Sequence, residues 1–479
     1  MLRLYDTRTR QVETIEPARR GRLSMYSCGP TVYRQAHVGN LRSYLLADLI
    51  RRTAGRHRLL VTSCQNITDV GHLADDTEID PEGEDKVLAQ ARAEGKTALE
   101  VARRYEEGFR ADCAALNIHP ADTFPRASDC IGLMIDLIAR LIDTGHAYPV
   151  PSGSVYFDVR TFPGYGELSG NRLADLRPGH RSQARAGQPR AGQQSVDPDK
   201  RFHADWALWK AAPASRELTY AAPWGTGFPG WHTECSAMSL HYLGETIDVH
   251  TGGIDLRFPH HEDERAQSNS VTGHEVVQHW VHGEHLLFEG RKMAKSTGNV
   301  VLLADLPARG LDPLALRFAF LDHRYRQQLN LTWEVLAAAD RLVRRWRERV
   351  AEWARSPSRA MCAQYVGDFN AAFDDDLDTP AALRVLRSLE KDSEIPPGAK
   401  FETFAHADRL LGLDLARDIG REPAPRPLPA EAAELLEARA AARAAADWAT
   451  ADRLRDQLGA LGVTVTDTPH GQTWAVRAP

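Results

Sequence analysis

Three stretches hold residues whose types and spacing could do chemistry. The first is Cys28-Gly29-Pro30-Thr31-Val32-Tyr33-Arg34-Gln35-Ala36-His37-Val38-Gly39-Asn40, and the second is Lys292-Met293-Ala294-Lys295-Ser296 with Gly298-Asn299 just beyond it. A helix start offers free N–H groups and a positive dipole end, which suit a phosphate. His37 and Asn40 could donate hydrogen bonds there, and Gly39 would let a nucleotide lie close. Lys292, Lys295 and Ser296 on a loop could neutralise charge building on the same phosphates, with Gly298-Asn299 as the turn that lets the loop close. The third stretch runs from Trp231-His232-Thr233-Glu234-Cys235 to Phe258-Pro259-His260-His261-Glu262-Asp263-Glu264. His260 and Glu264 lie four apart, so a helix starting after Pro259 puts them on one face. With Cys28 and Cys235 they make a set of four ligands of the kind zinc accepts. Taken alone, a His-x3-Glu pair is more often a surface pair, and no Cys-x2-Cys spacing fixes this set.

The elements that must position these residues follow from periodicity. Residues 23–27 read as a short buried strand, 41–52 as a helix and 58–66 as a second strand. Strand, helix, strand opens an α/β fold with a parallel, doubly wound, Rossmann-type sheet, whose ligands sit at the carboxyl ends of strands. Cys28 and Thr68 then face one cleft. Residues 84–116 and 127–144 read as two long amphipathic helices, and 278–288 as a strand leading to Lys292. The catalytic domain is expected over 1–310, with an inserted subdomain at roughly 115–215. A helical stem and bundle is expected over 311–415, a proline-rich linker over 416–429 and a small mixed helix and strand module over 430–479. Within that module 430–461 reads as one helix, followed by strands at 463–466 and 473–476.

Length and charge bound the partners. The chain has 479 residues, enough for about three domains. Its net charge of −6 gives no global basic footprint, so a nucleic-acid partner must be held by local Arg and Lys patches. Seven acidic residues in 75–85 read as a solvated loop, and five arginines in 172–193 as a flexible loop or an RNA-facing patch. The six cysteines lie far apart, a poor match to a disulfide framework and compatible with a reducing compartment. No apolar run approaches membrane-spanning length, so a cytoplasmic protein without a membrane partner is expected.

His37-Val38-Gly39-Asn40 together with Lys292 to Ser296 resembles the HIGH and KMSKS signatures of class I aminoacyl-tRNA synthetases. The wider text narrows this: CGPTVY, GWHTECSAM, GGIDLRFPHHEDE and KMAKSTGN resemble the cysteinyl-tRNA synthetase family, nearly end to end. The resemblance implies that the chain activates L-cysteine with ATP to the adenylate and transfers it to the 3′ end of tRNA-Cys. It also implies Cys28, Cys235, His260 and Glu264 as zinc ligands. His37, Asn40, Lys292 and Lys295 would be catalytic, and Gly39, His37, Lys292, Lys295 and Ser296 would bind ATP. Cys28, Gly29, Thr68 and Trp231 would line the cysteine pocket, with Thr68 and Asp69 at its polar end. ATP would enter with Mg²⁺, for which no protein ligand is assigned, and a monomer is expected. Arg443, Trp448, Asp452 and Asp467 match positions of the family's anticodon-reading domain, although composition alone makes Trp448 the core anchor of a small domain.

Three departures stand out. Asn40 replaces the second histidine of HIGH, Ala294 replaces the first serine of KMSKS, and Val70-Gly71-His72 follows Thr68-Asp69 where the family commonly has Ile-Asp-Asp-Lys. They leave two rival readings: a synthetase-like ligase that passes activated cysteine to an amine, and an inactive RNA-binding paralogue. The terminal module argues against the first, and the retained His37, Lys292 and Lys295 against the second.

Overall fold

Four short apolar runs become parallel strands of one sheet: β1 (Arg22–Ser27), β2 (Leu60–Gln65), β3 (Ile247–Gly253) and β4 (Val277–Gly283), in the order β4-β3-β1-β2. The computed structural model describes residues 1–70, 86–176, 197–213, 216–293, 298–421, 430–468 and 471–476. β1 leads through helix α1 (Val38–Arg56) to β2 on one side. On the other side β3 leads through helix α3 (Glu262–Thr272) to β4. Strand order therefore reverses between β1 and β3, which pair in the register Met25 to Val249, Tyr26 to His250 and Ser27 to Thr251. The carboxyl ends at such a switch point form the crevice in which open α/β sheets bind ligands. The doubly wound parallel sheet expected from the sequence is present.

Between β2 and helix α2 (Trp231–Leu243) lies a five-stranded antiparallel sheet that spans Ala147–Pro149, Val155–Phe157, Trp206–Ala211, Gly225–Pro229 and Tyr220–Ala222 in that spatial order. It reaches Pro229, past the interval 115–215 expected for the insertion. Its Phe157, Trp206 and Leu208 share one buried core with Met134 and Ile138 of the helix Ile131–Asp143, and with Cys235 and Trp280. This packing fixes α2, and with it Cys235, against the parallel sheet.

Several single elements expected from periodicity are interrupted. The helix expected over 84–116 is two helices, Lys86–Glu94 and Ala98–Ala115, because Gly95 is left-handed and Thr97 with Glu100 forms a capping box. The strand expected over 278–288 is β4 and then Leu286–Phe288, which joins a separate three-stranded sheet with Arg291–Lys292 and Leu329–Leu331. Beyond it come the helices Leu314–Leu321, Trp333–Trp353, Ala363–Asp374, Thr379–Lys391 and Pro397–Leu411. Arg317 ties Leu314–Leu321 to α1, since its guanidinium donates to Asp48 Oδ2 at 2.7 Å with both side chains fully buried. Burial opposes ionisation of Asp48, but Arg317 and Arg52 overcome it and hold the carboxyl below its ordinary range. Removing either member of such a pair strands a buried charge.

By its contacts the chain divides into residues 1–346 with 353–415, and residues 347–352 with 416–479. The second unit carries the helices Ala430–Ala444 and Trp448–Ala460 and the hairpin Val463–Thr468 with Gly471–Val476. The one helix expected over 430–461 is thus two. Ala446 is left-handed (φ 59°) and Asp447 caps the second helix by accepting from Thr450 N–H, a break that an alanine-rich run hides. Its buried core is Ala432, Leu436, Leu458 and Val463. Trp448 is 58% exposed, which corrects the reading of this residue as a core anchor. It opens its helix, and the apolar interior is already filled by aliphatic side chains.

Candidate active site

The cleft at the switch point is built by close backbone approach. A Cβ on Gly29 would lie 1.6 Å from the Asn66 carbonyl oxygen, so only glycine lets the chain leave β1 there. Asn66 Oδ1 accepts from Gly29 N–H at 2.8 Å, and its amide donates to Thr68 Oγ1 at 3.0 Å. The Thr68 hydroxyl donates in turn to Glu234 Oε2 at 2.9 Å. Asp69, expected beside Thr68 in the pocket, instead accepts from Ser128 N–H and Oγ–H at 2.8 and 2.6 Å. It caps the turn Ala127–Cys130 of the insertion, because an acceptor at the start of a turn satisfies otherwise unpaired N–H groups.

Cys28, Cys235, His260 and Glu264, from three separate parts of the chain, are all buried, and one ligand atom from each lies within 4.8 Å of the others. His260 Nε2 is 2.9 Å from Glu264 Oε1, as the four-residue spacing requires. Trp231 lies flat on His260, with ring centroids 4.0 Å apart. The outer nitrogen of His260 meets His232 Nδ1 at 2.7 Å, and His232 Nε2 is 3.3 Å from Asp263 Oδ2. Partners of this kind orient a ligating imidazole.

A second set overlaps the first: Cys28 and Glu264 with His250 and His261, again within 4.8 Å and again buried. Cys28 Sγ is 3.1 Å from His261 Nε2 and 3.6 Å from His250 Nε2. His261 continues to His282 at 2.8 Å and His282 to the Thr7 hydroxyl at 2.7 Å. Burial drives His250 and His282 down to about 3, so these rings are neutral. Burial also pushes the Cys28 thiol and the Glu264 carboxyl well up. Thiol, imidazole and carboxyl donors packed this closely could hold a cation. None of His250, His261 and His282 was singled out from sequence. They sit on β3, β4 and the turn before α3, and only strand pairing brings them beside Cys28.

On the other side of the crevice, His37 caps α1. Its Nδ1 accepts from Asn40 N–H at 3.3 Å, while His37 N–H donates to Asn40 Oδ1 at 3.2 Å. Asn40 therefore completes a capping box at the position where HIGH carries its second histidine. Burial, aided by Arg34, lowers His37 to about 4. Its ring is neutral with the proton on Nε2, a donor suited to a phosphate oxygen and not a cation. A Cβ on Gly39 would lie 2.9 Å from Met293 Cε and 3.0 Å from the His37 ring, so the two signature stretches touch at this glycine. Lys292 is exposed on the strand Arg291–Lys292. Its carbonyl accepts from the Asn299 amide at 3.1 Å, which closes the base of the loop. Lys295, Ser296, the acidic stretch 75–85 and most of 172–193 lie outside the described residues. Asp255 was not singled out either. A Cβ on Gly253 would lie 2.4 Å from Asp255 Oδ1, and this carboxylate acts electrostatically on His37. Its position two residues beyond β3, after Gly252-Gly253, was the signal available.

In the second unit, Asp467 is held by Arg439 through two bonds of 2.9 Å and by Arg443 at 2.9 Å. Arg443 also lies over the Trp448 ring, 5.4 Å from its centroid. Asp452 is exposed and paired with Arg455 at 3.2 Å. Arg443, half-buried, thus joins the exposed Trp448 and Asp467 in one group, with Asp452 separately engaged.

No helix among the described residues is long and apolar enough to cross a membrane. Residues 14–341 match the family model for the class I (C) tRNA synthetase catalytic domain, and residues 426–474 match that for the cysteinyl-tRNA ligase anticodon binding domain. The chain is 42% identical to a cysteine–tRNA ligase of Thermus thermophilus, with 98% of each chain covered. It is 40% identical to a cysteine–tRNA ligase of Salinibacter ruber, with 99% of this chain and 98% of that one covered. Its fold is similar to that of a Mycobacterium tuberculosis methionyl-tRNA synthetase (TM-score 0.54, 17% identity, 82% of this chain and 89% of that one). Matches of this extent, joined to a buried thiol, imidazole and carboxyl cluster at the sheet's switch point, show that the chain belongs to the cysteine–tRNA ligase family of ATP-dependent class I aminoacyl-tRNA ligases.

Proposed function

We propose that this site joins the carboxylate of L-cysteine to the α-phosphate of ATP, releases pyrophosphate, and passes the cysteinyl group to the 3′ end of tRNA-Cys, with Cys28, Cys235, His260 and Glu264 holding one zinc ion. The observation that carries the reading is the convergence of these four donors, within 4.8 Å of one another, at the switch point. The donor chemistry fits: two thiols, one imidazole nitrogen and one carboxylate are donors that zinc accepts. Bound there, zinc supplies a Lewis-acidic contact for the substrate thiolate, which serine cannot match because its hydroxyl deprotonates far less readily.

The chain's own residues do the rest. Trp231 walls the cysteine pocket from its place on His260. Thr68, fixed between Asn66 and Glu234, with Gly29 and Cys28, bounds the amino acid. His37 Nε2–H, with Gly39 and Asn40 at the start of α1, donates to phosphate oxygens. Lys292, together with Lys295 and Ser296, offsets the charge that builds on them as pyrophosphate leaves. Mg²⁺ accompanies ATP. Residues 1–310 carry this chemistry, 311–415 the helical stem and bundle, and 430–479 the anticodon contacts. Arg443 and Trp448 offer stacking surfaces and Asp452 and Asp467 carboxylates to the bases of a GCA anticodon. The protein acts as a cytoplasmic monomer.

The test is cysteine-dependent ATP–pyrophosphate exchange run beside charging of a transcript with a GCA anticodon. Exchange with charging is expected. Exchange without charging would move the acceptor from tRNA to an amine, and no exchange in zinc-replete protein would overturn the catalytic reading. Removal of residues from Pro429 onward is expected to abolish charging while leaving exchange largely intact.

A further inference from the structure

A second basic site lies in the catalytic unit, away from the phosphate residues already described. The turn of the hairpin formed by Arg3–Asp6 and Gln11–Thr14 faces residues 163–174 of the insertion across an open cavity of about 710 Å³. Arg8, Arg10 and Arg172 line it. Its wall is a built feature. Gly170 is left-handed (φ +80°), and a Cβ there would lie 2.2 Å from Arg10 Nη2, so the guanidinium is laid directly over the glycine. Gly166 is left-handed too, and a Cβ on it would strike the Asn171 carbonyl oxygen at 2.0 Å.

The carboxylates beside these arginines are held chiefly by Arg265, and only Arg8 shares one of them. Glu167, on the cavity wall, accepts from Arg265 Nη2 at 2.7 Å. Glu275, 3.8 Å from Arg8, is held by Arg265 through two bonds of 2.8 Å. Among the described residues, Arg10 and Arg172 have no carboxylate partner. In a chain of net charge −6, three guanidiniums facing one cavity are a local exception that favours a polyanion. The wall is also tied to the helix that carries Glu264. The Tyr165 hydroxyl donates to Asp263 Oδ1 at 2.7 Å, Ser169 N–H to Glu262 Oε2 at 2.8 Å, and Arg265 Nη1 to the Gly164 carbonyl at 2.9 Å.

We propose that Arg8, Arg10 and Arg172 form a binding site for consecutive backbone phosphates of the tRNA acceptor arm, which fixes the RNA against the same helix that supports the cysteine site. The proposal rests on the tRNA-charging function above. Charging brings the acceptor end to this unit, and a row of guanidiniums on a groove wall is the usual means of holding RNA phosphates without reading sequence.

The test uses the full-length protein with Arg10→Ala and Arg172→Ala, singly and together. For the double variant the tRNA KM in charging is expected to rise about tenfold or more, and the slope of log KM against log salt to fall by about two. Cysteine-dependent pyrophosphate exchange should stay within about twofold of the unaltered protein, and Arg→Lys at both positions should restore most of the salt slope, since charge is retained. An unchanged tRNA KM and salt slope would overturn the proposal. So would exchange falling in step with charging, which would assign the cavity to support of the helix or to the phosphates of ATP. Absence of exchange and charging in the unaltered protein is a separate result that bears on the enzymatic reading alone.

Discussion

The two halves of the crevice are built on opposite principles. On the side of the four clustered donors, Cys28, Cys235, His260 and Glu264 are buried, His260 is held by His232, and the surrounding core includes Trp206 and Trp280. On the side of the α1 start, Asn40 and Lys292 are exposed, and His37 is held chiefly by its own helix. The difference suits the tasks proposed for the two sides. Telling a thiol from a hydroxyl demands a desolvated, fixed donor set, because a looser apolar pocket separates near-isosteres by only about 1–3 kcal/mol. Stabilising a leaving pyrophosphate demands charge that can approach and withdraw, since the product must depart.

If that contrast is right, substitutions on the two sides should damage different parameters. Lys292→Ala should lower kcat for pyrophosphate exchange about 10²–10³-fold, the loss typical of one removed charge-stabilising donor, with KM for cysteine nearly unchanged. Steady-state kinetics with each substrate varied would show it, and an equal rise in cysteine KM would erase the distinction. Cys235→Ser should instead raise KM for cysteine about 100-fold and lower bound zinc by elemental analysis, with KM for ATP nearly constant. Equal loss of both, accompanied by unfolding, would make the cluster structural.

Two glycines sharpen the same contrast through stability. Gly29→Ala forces a Cβ to 1.6 Å from backbone oxygen, and should cost about 3 kcal/mol or more in denaturant unfolding. Gly39→Ala meets chiefly the end of a flexible methionine at 2.9 Å, and should cost about 1 kcal/mol while reducing exchange. A further effect is expected in pH. Burial holds His37 at about 4 against an ordinary 6.5, so the unfolded chain binds its proton more readily between those values. The stability His37 contributes is therefore present above about pH 6.5 and is lost as pH falls toward 4. His37→Asn should flatten that part of the stability profile, and exchange in the unaltered protein should show no acidic limb near 6.5.

Much of this was legible in the sequence, for identifiable reasons. The strand at 23–27, the helix that follows and the His260 to Glu264 spacing all rest on local periodicity, which a single chain displays. The breaks at Gly95 and Ala446 were missed because their causes are single-residue conformations inside otherwise helical runs. Asp69 was placed in the cysteine pocket from its neighbour Thr68. Whether an acidic side chain faces the cleft or caps Ser128 depends on the insertion lying beside it, which sequence order does not reveal.

The sequence by itself determined the chemistry available: which residues could ligate, donate or carry charge, and which recurrent text they belong to. Only the tertiary structure decided which of them meet. Parallel pairing of β1 with β3 set His250 beside Tyr26, with His261 and His282 nearby, so that a second buried donor set shares Cys28 and Glu264 with the first. Likewise, the close approach of Gly39 and Met293 joined signatures some 250 residues apart in the chain. Contacts between residues so distant in sequence arise from strand order and from packing across strands, and neither is a local property of the chain.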